Sequence, residues 1–112
     1  MVLTRPEQLR LDLPLEAIAI VCQRYGVSEM AVFGSVLRDD FDPASSDVDF
    51  LVRFINDDAG PWAHKLMDME EDLGNLLNRK VDVAERVGVE KSRNLARRQH
   101  ILERARIIYE ER

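Results

Sequence analysis

The chain has 112 residues, a formal net charge of −5 and a hydrophobic content of 46%, which is typical of one globular domain and excludes a disordered chain. The excess of acidic residues argues against a protein that coats DNA, so we expect no stable direct DNA binding. A single cysteine, Cys22, excludes an intrachain disulfide and favours a reducing, cytoplasmic setting. We expect no membrane association, because no apolar run is long enough to span a bilayer and residues 1–10 lack the apolar core of a signal peptide.

The apolar pattern predicts, in chain order, a helix, a strand, a short helix, a strand, a helix, a strand and two helices. We expect a single domain over residues 1–112, with residues 1–10 loosely held. The first helix is predicted to begin near Asp12 and Pro14 and to end at Gly26, because proline favours helix starts and glycine favours helix ends.

Two strands are predicted in the first half of the chain. The first is a short buried strand over residues 30–33, followed by a short helix over residues 36–40 and a loop over residues 41–46. The second shows the alternation of a half-buried strand. Its apolar residues are Val48, Phe50, Val52 and Phe54.

The second half begins with a predicted loop over residues 56–60 and a helix that Pro61 opens and Asn78 ends. A third short strand is predicted over residues 81–83, then a weakly patterned helix over residues 90–98. A final amphipathic helix is predicted from the spacing of Ile101, Leu102, Ala105, Ile108 and Tyr109. The fold class is therefore α/β (α+β), a small mixed sheet flanked by helices.

Charge is unevenly distributed along the chain. Residues 39–72 carry eleven acids against two bases, and residues 86–112 carry eight bases against four acids. Such a division is typical of a cation site beside an anion or partner site, although two solvated faces of opposite sign would give the same counts.

The predicted strands can place three aspartates on one face of the sheet. Asp47 and Asp49 flank Val48 and point away from the core, with Cα atoms about 7 Å apart. Asp82 points the same way if its strand lies beside theirs. Carboxylates held this close repel unless a cation neutralises them, and oxygen ligands suit Mg²⁺ or Mn²⁺. A strand-start turn with solvent-facing acids is the alternative for each residue alone.

Gly34 and Ser35 follow the first strand. A glycine lets a phosphate approach the backbone, and nearby N–H groups with a serine hydroxyl can bind phosphate oxygens. A simple helix cap by Ser35 explains the pair equally well when it is taken alone.

Three motifs resemble the signature of the nucleotidyltransferase superfamily that includes DNA polymerase beta: Gly34-Ser35, Asp47-Val48-Asp49 and Lys80-Val81-Asp82-Val83. Eleven residues separate Ser35 from Asp47. The length resembles that of the superfamily's stand-alone, minimal members, and the resemblance covers nearly the whole chain. It implies a polymerase beta-like nucleotidyltransferase fold.

The resemblance also implies roles for single residues. Those it assigns to catalysis and to metal binding are Asp47, Asp49 and Asp82. Those it assigns to binding the nucleotide are Gly34, Ser35 and Arg38. The implied cofactor is Mg²⁺, with two ions or with Mn²⁺ as a substitute, and the implied donor is ATP. Arg38 either contacts phosphate or forms an ion pair that supports its loop.

The minimal family resembles the antitoxin half of toxin–antitoxin systems whose partner is a small helical HEPN protein. The resemblance thus implies an antitoxin that transfers AMP to a tyrosine of such a toxin, within a homo- or hetero-oligomer. Two alternatives stay open at this point: neutralisation of the partner by binding alone, and transfer to a small molecule.

Overall fold

A mixed β-sheet forms the centre of the structure, a computed structural model that describes residues 1–55 and 63–111. In those residues the strands are β1 (Val2–Leu3), β2 (Val27–Phe33), β3 (Val48–Phe54), β4 (Val81–Glu85) and β5 (Arg106–Glu110). The α-helices there are α1 (Leu15–Tyr25), α2 (Ala63–Leu77), α3 (Arg86–Glu90) and α4 (Leu95–Arg104). The strand order is β1-β5-β2-β3-β4, with β3 and β4 parallel and the other pairs antiparallel. The α+β class is as expected.

One face of the sheet packs against α1 and α2. The alternation in β3 is confirmed there: Val48, Phe50 and Val52 are completely buried in the larger apolar cluster. Helix α1 contributes Cys22 and ends at Gly26, whose φ of 71° gives the left-handed conformation that lets its N–H bond back to the helix.

The opposite face of the sheet has a smaller apolar cluster. Ala31, Leu51, Val89 and Ile101 are buried there, because α3 and α4 cover the middle of this face. The same alternation that buries Val48 and Phe50 on the first face puts Asp49 on this second face, beyond the smaller cluster. The two-sided core therefore leaves one end of the sheet accessible.

The prediction of a final helix through Ile108 and Tyr109 is wrong. Helix α4 ends at Arg104, and residues 106–110 form β5 between β1 and β2. Ile107 packs with the smaller cluster and Ile108 with the larger, so both faces of this strand contact apolar groups. The sequence of β5 therefore lacks the alternation of apolar and polar residues that indicates a half-buried strand. A short apolar run of this kind fits a helix and a buried strand equally well by period.

Other elements differ in extent. The short helix expected over residues 36–40 is a 3₁₀ helix over Gly34–Leu37, which we name the glycine turn. The helix expected over residues 90–98 is divided between α3 and α4. Residues 1–10, expected to be loosely held, include strand β1 paired with β5. The loop predicted over residues 56–60 and the helix start at Pro61 lie outside the described residues. Within the described residues, no helix has the length and apolar character needed to cross a membrane.

The placement of β5 gives a stability prediction. Ile108 is 0% exposed and Ile20, on the outer side of α1, is 59% exposed. We expect Ile108→Ala to lower the free energy of unfolding by about 2–5 kcal/mol, because it removes buried methyl groups from the core. The matched Ile20→Ala should change it by only about 0.5 kcal/mol. Urea unfolding followed by circular dichroism measures both, and equal effects would contradict the central position of β5.

Candidate active site

The pairing of three strands brings two of the predicted carboxylates together. Asp49 in β3 lies opposite Asp82 in β4 and opposite Phe33, the last residue of β2. The expectation that the second and third predicted strands are neighbours is thus confirmed. Because β3 and β4 are parallel and in this register, both side chains lie on the same face of the sheet.

The glycine turn follows β2 directly and lies against Asp49. Gly34 has a φ of 77°, and a Cβ atom placed on it would lie 2.5 Å from Asp49 Oδ2. The residue after Phe33 must therefore tolerate a left-handed backbone and also lack a side chain, and only glycine meets both requirements. The backbone of the glycine turn therefore passes close beside the Asp49 carboxylate.

Ser35 connects the glycine turn to the second motif. Its Oγ donates a hydrogen bond to the Asp47 carbonyl oxygen at 3.2 Å. The Asp47 side chain is partly exposed, with Oδ2 3.8 Å from Lys80 Nζ, and the N–H of Val48 donates to the Lys80 carbonyl at 3.2 Å. The two predicted motifs are thus joined at their backbones.

Arg79 is a supporting residue that sequence reasoning missed. Its Nη1 donates to the Ser46 carbonyl at 2.9 Å, its Nη2 donates to the Pro43 carbonyl, and its guanidinium lies 5.5 Å from the centre of the Phe41 ring. These contacts hold the loop that leads into Asp47. No pattern in the sequence pairs an arginine with carbonyl groups more than thirty positions away, so no signal could have revealed it.

The site residues surround an open groove of about 480 Å³, the acidic groove. Its lining is Gly34, Ser35, Arg38, Ser45, Ser46, Asp47, Asp49 and Asp82. All six predicted site residues are thus brought together. Arg38 forms an ion pair with Asp40 at 3.1 Å while its side chain remains half exposed at the edge of the groove, so the ion pair and a contact with phosphate are compatible.

Asp49 is the electrostatic centre of the groove. Its pKa is raised to about 6, first by burial, then by the charges of Asp82 and Asp47 and by a side-chain hydrogen bond with Asp82, while Arg38 opposes the shift. A carboxylate with this pKa is held in an unfavourable environment whenever it is ionised.

The donor chemistry of the groove fits a hard divalent cation. Asp49 and Asp82 interact closely, and a cation between them would relieve the repulsion that raises the pKa of Asp49. Among the described residues, no three His, Cys, Asp or Glu side chains are already arranged to hold a metal. Asp47 instead faces Lys80, so its carboxylate has to turn from Lys80 to join the other two.

Comparison with known proteins places the chain in a family. The profile of the nucleotidyltransferase domain matches residues 16–109, which include every residue of the acidic groove. The chain belongs to the nucleotidyltransferase domain family. A solved structure assigned as a minimal nucleotidyltransferase is 30% identical over 82% of this chain and 86% of its own, with a TM-score of 0.62. Comparison with curated protein sequences gives no match.

More distant structures share the fold. A toxin–antitoxin structure with AMP-PNP is 14% identical over 89% of this chain and 76% of its own, with a TM-score of 0.66. A mutant toxin–antitoxin structure, MntA-HpeT, is 13% identical over 89% of this chain and 75% of its own, with a TM-score of 0.65. The architecture is therefore the polymerase beta-like nucleotidyltransferase fold, as expected.

The Gly34 contact can be tested against a second glycine. Gly34→Ala and Gly26→Ala both place a Cβ on a left-handed residue, but only at Gly34 does it meet a neighbour, the Asp49 carboxylate. We expect each variant to lose about 1 kcal/mol or more of stability, and only Gly34→Ala to lose binding of a nucleoside triphosphate with Mg²⁺. Calorimetric titration measures the binding, and a similar loss in Gly26→Ala would contradict a specific role for Gly34.

The raised pKa of Asp49 predicts that Asp49→Asn stabilises the protein without divalent cations. The carboxyl titrates near pH 6 in the folded state and near pH 4 when unfolded, so its ionisation lowers stability as pH rises from about 4 to 6. Above pH 6 we expect the variant to gain on the order of 1 kcal/mol after allowance for solvent screening. Urea unfolding in EDTA at pH 7 and pH 4 tests this, and a gain that does not shrink at pH 4 would contradict it.

Proposed function

We propose that the protein transfers AMP from ATP to a hydroxyl group on a partner protein, a tyrosine of a HEPN-type toxin, and thereby acts as its antitoxin. The observation that carries the proposal is the convergence of the glycine turn with Asp47, Asp49 and Asp82 in one groove of a nucleotidyltransferase fold. An inactive member of the family would have no need to keep a half-buried carboxylate beside two other aspartates.

In the proposed reaction, the acceptor oxygen attacks the α-phosphorus of ATP. A bond forms between that oxygen and phosphorus, the bond from the α-phosphorus to the bridging oxygen of the β-phosphate breaks, and pyrophosphate leaves. The proton of the acceptor hydroxyl passes to a carboxylate, for which Asp82 is the candidate because it is the most exposed of the three aspartates.

Mg²⁺, when bound, would supply charge neutralisation for the triphosphate and the leaving group. The chain's own residues have the remaining tasks. Asp47 and Asp49 would hold the cations, the N–H groups and hydroxyl of Gly34 and Ser35 would bind phosphate oxygens, and Arg38 would add a positive charge at the edge of the groove.

Two observations support a protein as the acceptor. The groove is open, with Asp82 exposed at its surface, so a hydroxyl carried on another protein can approach it. Two structures with the same fold are of toxin–antitoxin complexes, one of them with AMP-PNP. A cytoplasmic toxin encoded beside this protein is the first acceptor to test.

The test is intact-mass spectrometry of the small helical protein encoded in the adjacent reading frame, after incubation with this protein, ATP and Mg²⁺. We expect the partner to gain the mass of one or more AMP groups on tyrosine. Asp49→Asn and Asp47→Asn should abolish the gain, because each removes a ligand charge. The exposed Asp12→Asn, outside the groove, is the matched control and should behave as the wild type.

Each other outcome contradicts a defined part of the proposal. An unmodified partner that forms a tight complex would favour an antitoxin that acts by binding alone. A protein that neither modifies nor binds the partner, yet consumes ATP when small hydroxylated compounds are supplied, would favour a small-molecule acceptor. Because Asp49→Asn is expected to be more stable than the wild type, loss of transfer in that variant could not be attributed to unfolding.

A further inference from the structure

A second cavity lies beside the glycine turn, at the corner between α4 and β5. It measures about 160 Å³, and Phe33, Leu37 and Ile101 form its apolar floor. Gly34 and Arg38 line both this cavity and the acidic groove, so the two are neighbours along the same turn. Apart from Gly34 and Arg38, none of the predicted site residues lines this cavity.

Nitrogen-bearing side chains surround the cavity, which we name the cationic pocket. Its lining includes the guanidinium-bearing Arg38, Arg104 and Arg106 and the imidazole of His100, and no carboxylate of the described residues lines it. Two of the eight basic residues of segment 86–112, Arg104 and Arg106, thus lie next to the acidic groove. A pocket of this composition favours an anion.

Strand pairing sets the spacing between the basic and the acidic residues. Arg106 of β5 lies opposite Val32 of β2, the residue before Phe33, and Phe33 lies opposite Asp49 of β3. Beyond Asp49 comes Asp82 of β4. At about 4.8 Å per strand, the backbone of Arg106 is on the order of 10 Å from that of Asp49. The site therefore changes from acidic to basic across the sheet, with the glycine turn between the two ends.

The arginines differ in how free they are to bind a ligand. Arg106 donates from Nη1 to the carbonyls of Glu103, Arg104 and Ala105, which ends α4, and Arg38 is paired with Asp40. The side chain of Arg104 makes no hydrogen bond or ion pair with the described residues. Its charge is thus available without breaking an existing contact.

We propose that the cationic pocket binds the terminal phosphates of the donor triphosphate, and the pyrophosphate after transfer, with Arg104 as a positioning residue that selects triphosphates over monophosphates. This proposal rests on the proposed function. A cation held by Asp47 and Asp49 offsets only part of the triphosphate charge, and the cationic pocket is the arginine cluster that adjoins the glycine turn. Charge-assisted, forked contacts from arginine suit phosphate oxygens.

The experiment compares Arg104→Gln with Arg97→Gln. Arg97 is an exposed arginine two turns earlier in α4 that does not line the pocket, so both variants remove one charge from the same helix. Calorimetry with Mg²⁺ measures the affinity of three probes: α,β-methylene ATP, which cannot transfer its nucleotide, inorganic pyrophosphate and AMP. We expect Arg104→Gln to weaken the first two by about tenfold and to leave AMP unchanged. Arg97→Gln should leave all three near the wild-type values, and Arg104→Lys should recover part of the loss.

The other outcomes contradict separate statements. Equal affinities in Arg104→Gln and Arg97→Gln would overturn the role of Arg104, and an equal loss for AMP would show that the pocket holds the nucleoside rather than the terminal phosphates. If α,β-methylene ATP binds with wild-type affinity to Arg104→Gln but not to Asp49→Asn, only the inference about the pocket fails. If the wild-type protein binds no nucleoside triphosphate, the proposed function itself fails.

Discussion

The close approach of the glycine turn to Asp49 is the constraint on which the rest of the site depends. It exists because β2 ends at Phe33 directly opposite Asp49, so the chain must turn within one residue while passing the carboxylate. A Cβ at Gly34 would lie 2.5 Å from Asp49 Oδ2, and the backbone there has a positive φ. The glycine turn and the carboxylates of the proposed site are therefore one structural unit. A shift of β2 along β3 would move the turn away from the carboxylates, and it would also break the core contacts of both strands.

Helices cover the two faces of the sheet to different extents, and this difference determines where a site can form. Helices α1 and α2 cover one face completely enough to bury Val48 and Phe50, whereas α3 and α4 cover only the middle of the other. The residues that alternate with the core of β3 thus include the buried Leu51 and, two positions earlier, Asp49 of the acidic groove. Beyond the end of the smaller cluster, the same face supplies the acidic groove at β4 and the cationic pocket at β5.

The ionised Asp49 at the centre of the acidic groove lowers the stability of the fold, whereas hydrogen bonds hold the loop at the edge of the groove. Burial and the neighbouring aspartates raise the pKa of Asp49, so its ionised form is costly in the absence of a cation. The loop leading to Asp47 is held instead by hydrogen bonds: Arg79 binds two of its carbonyls, and Ser35 binds a third from the glycine turn. Such an arrangement holds Asp49 beside Asp82 and fixes the backbone at Asp47 before any ligand arrives, which would reduce the ordering needed if a metal–nucleotide complex binds as proposed.

Local sequence determined the elements whose signals are complete within a few residues. The alternation around Asp49 set its face, the apolar residues beside Asp82 set the same face in β4, and Gly26 marked the end of α1. The motif spacing also led to the family and to six of the eight residues that line the groove. Only the tertiary structure decided that residues 106–110 form a strand, that Arg79 holds the loop before Asp47, and that Arg104 lies beside the glycine turn. The physical reason is that a strand buried on both faces has no alternation to reveal it, and contacts between residues far apart in the chain depend on strand pairing that no local period encodes.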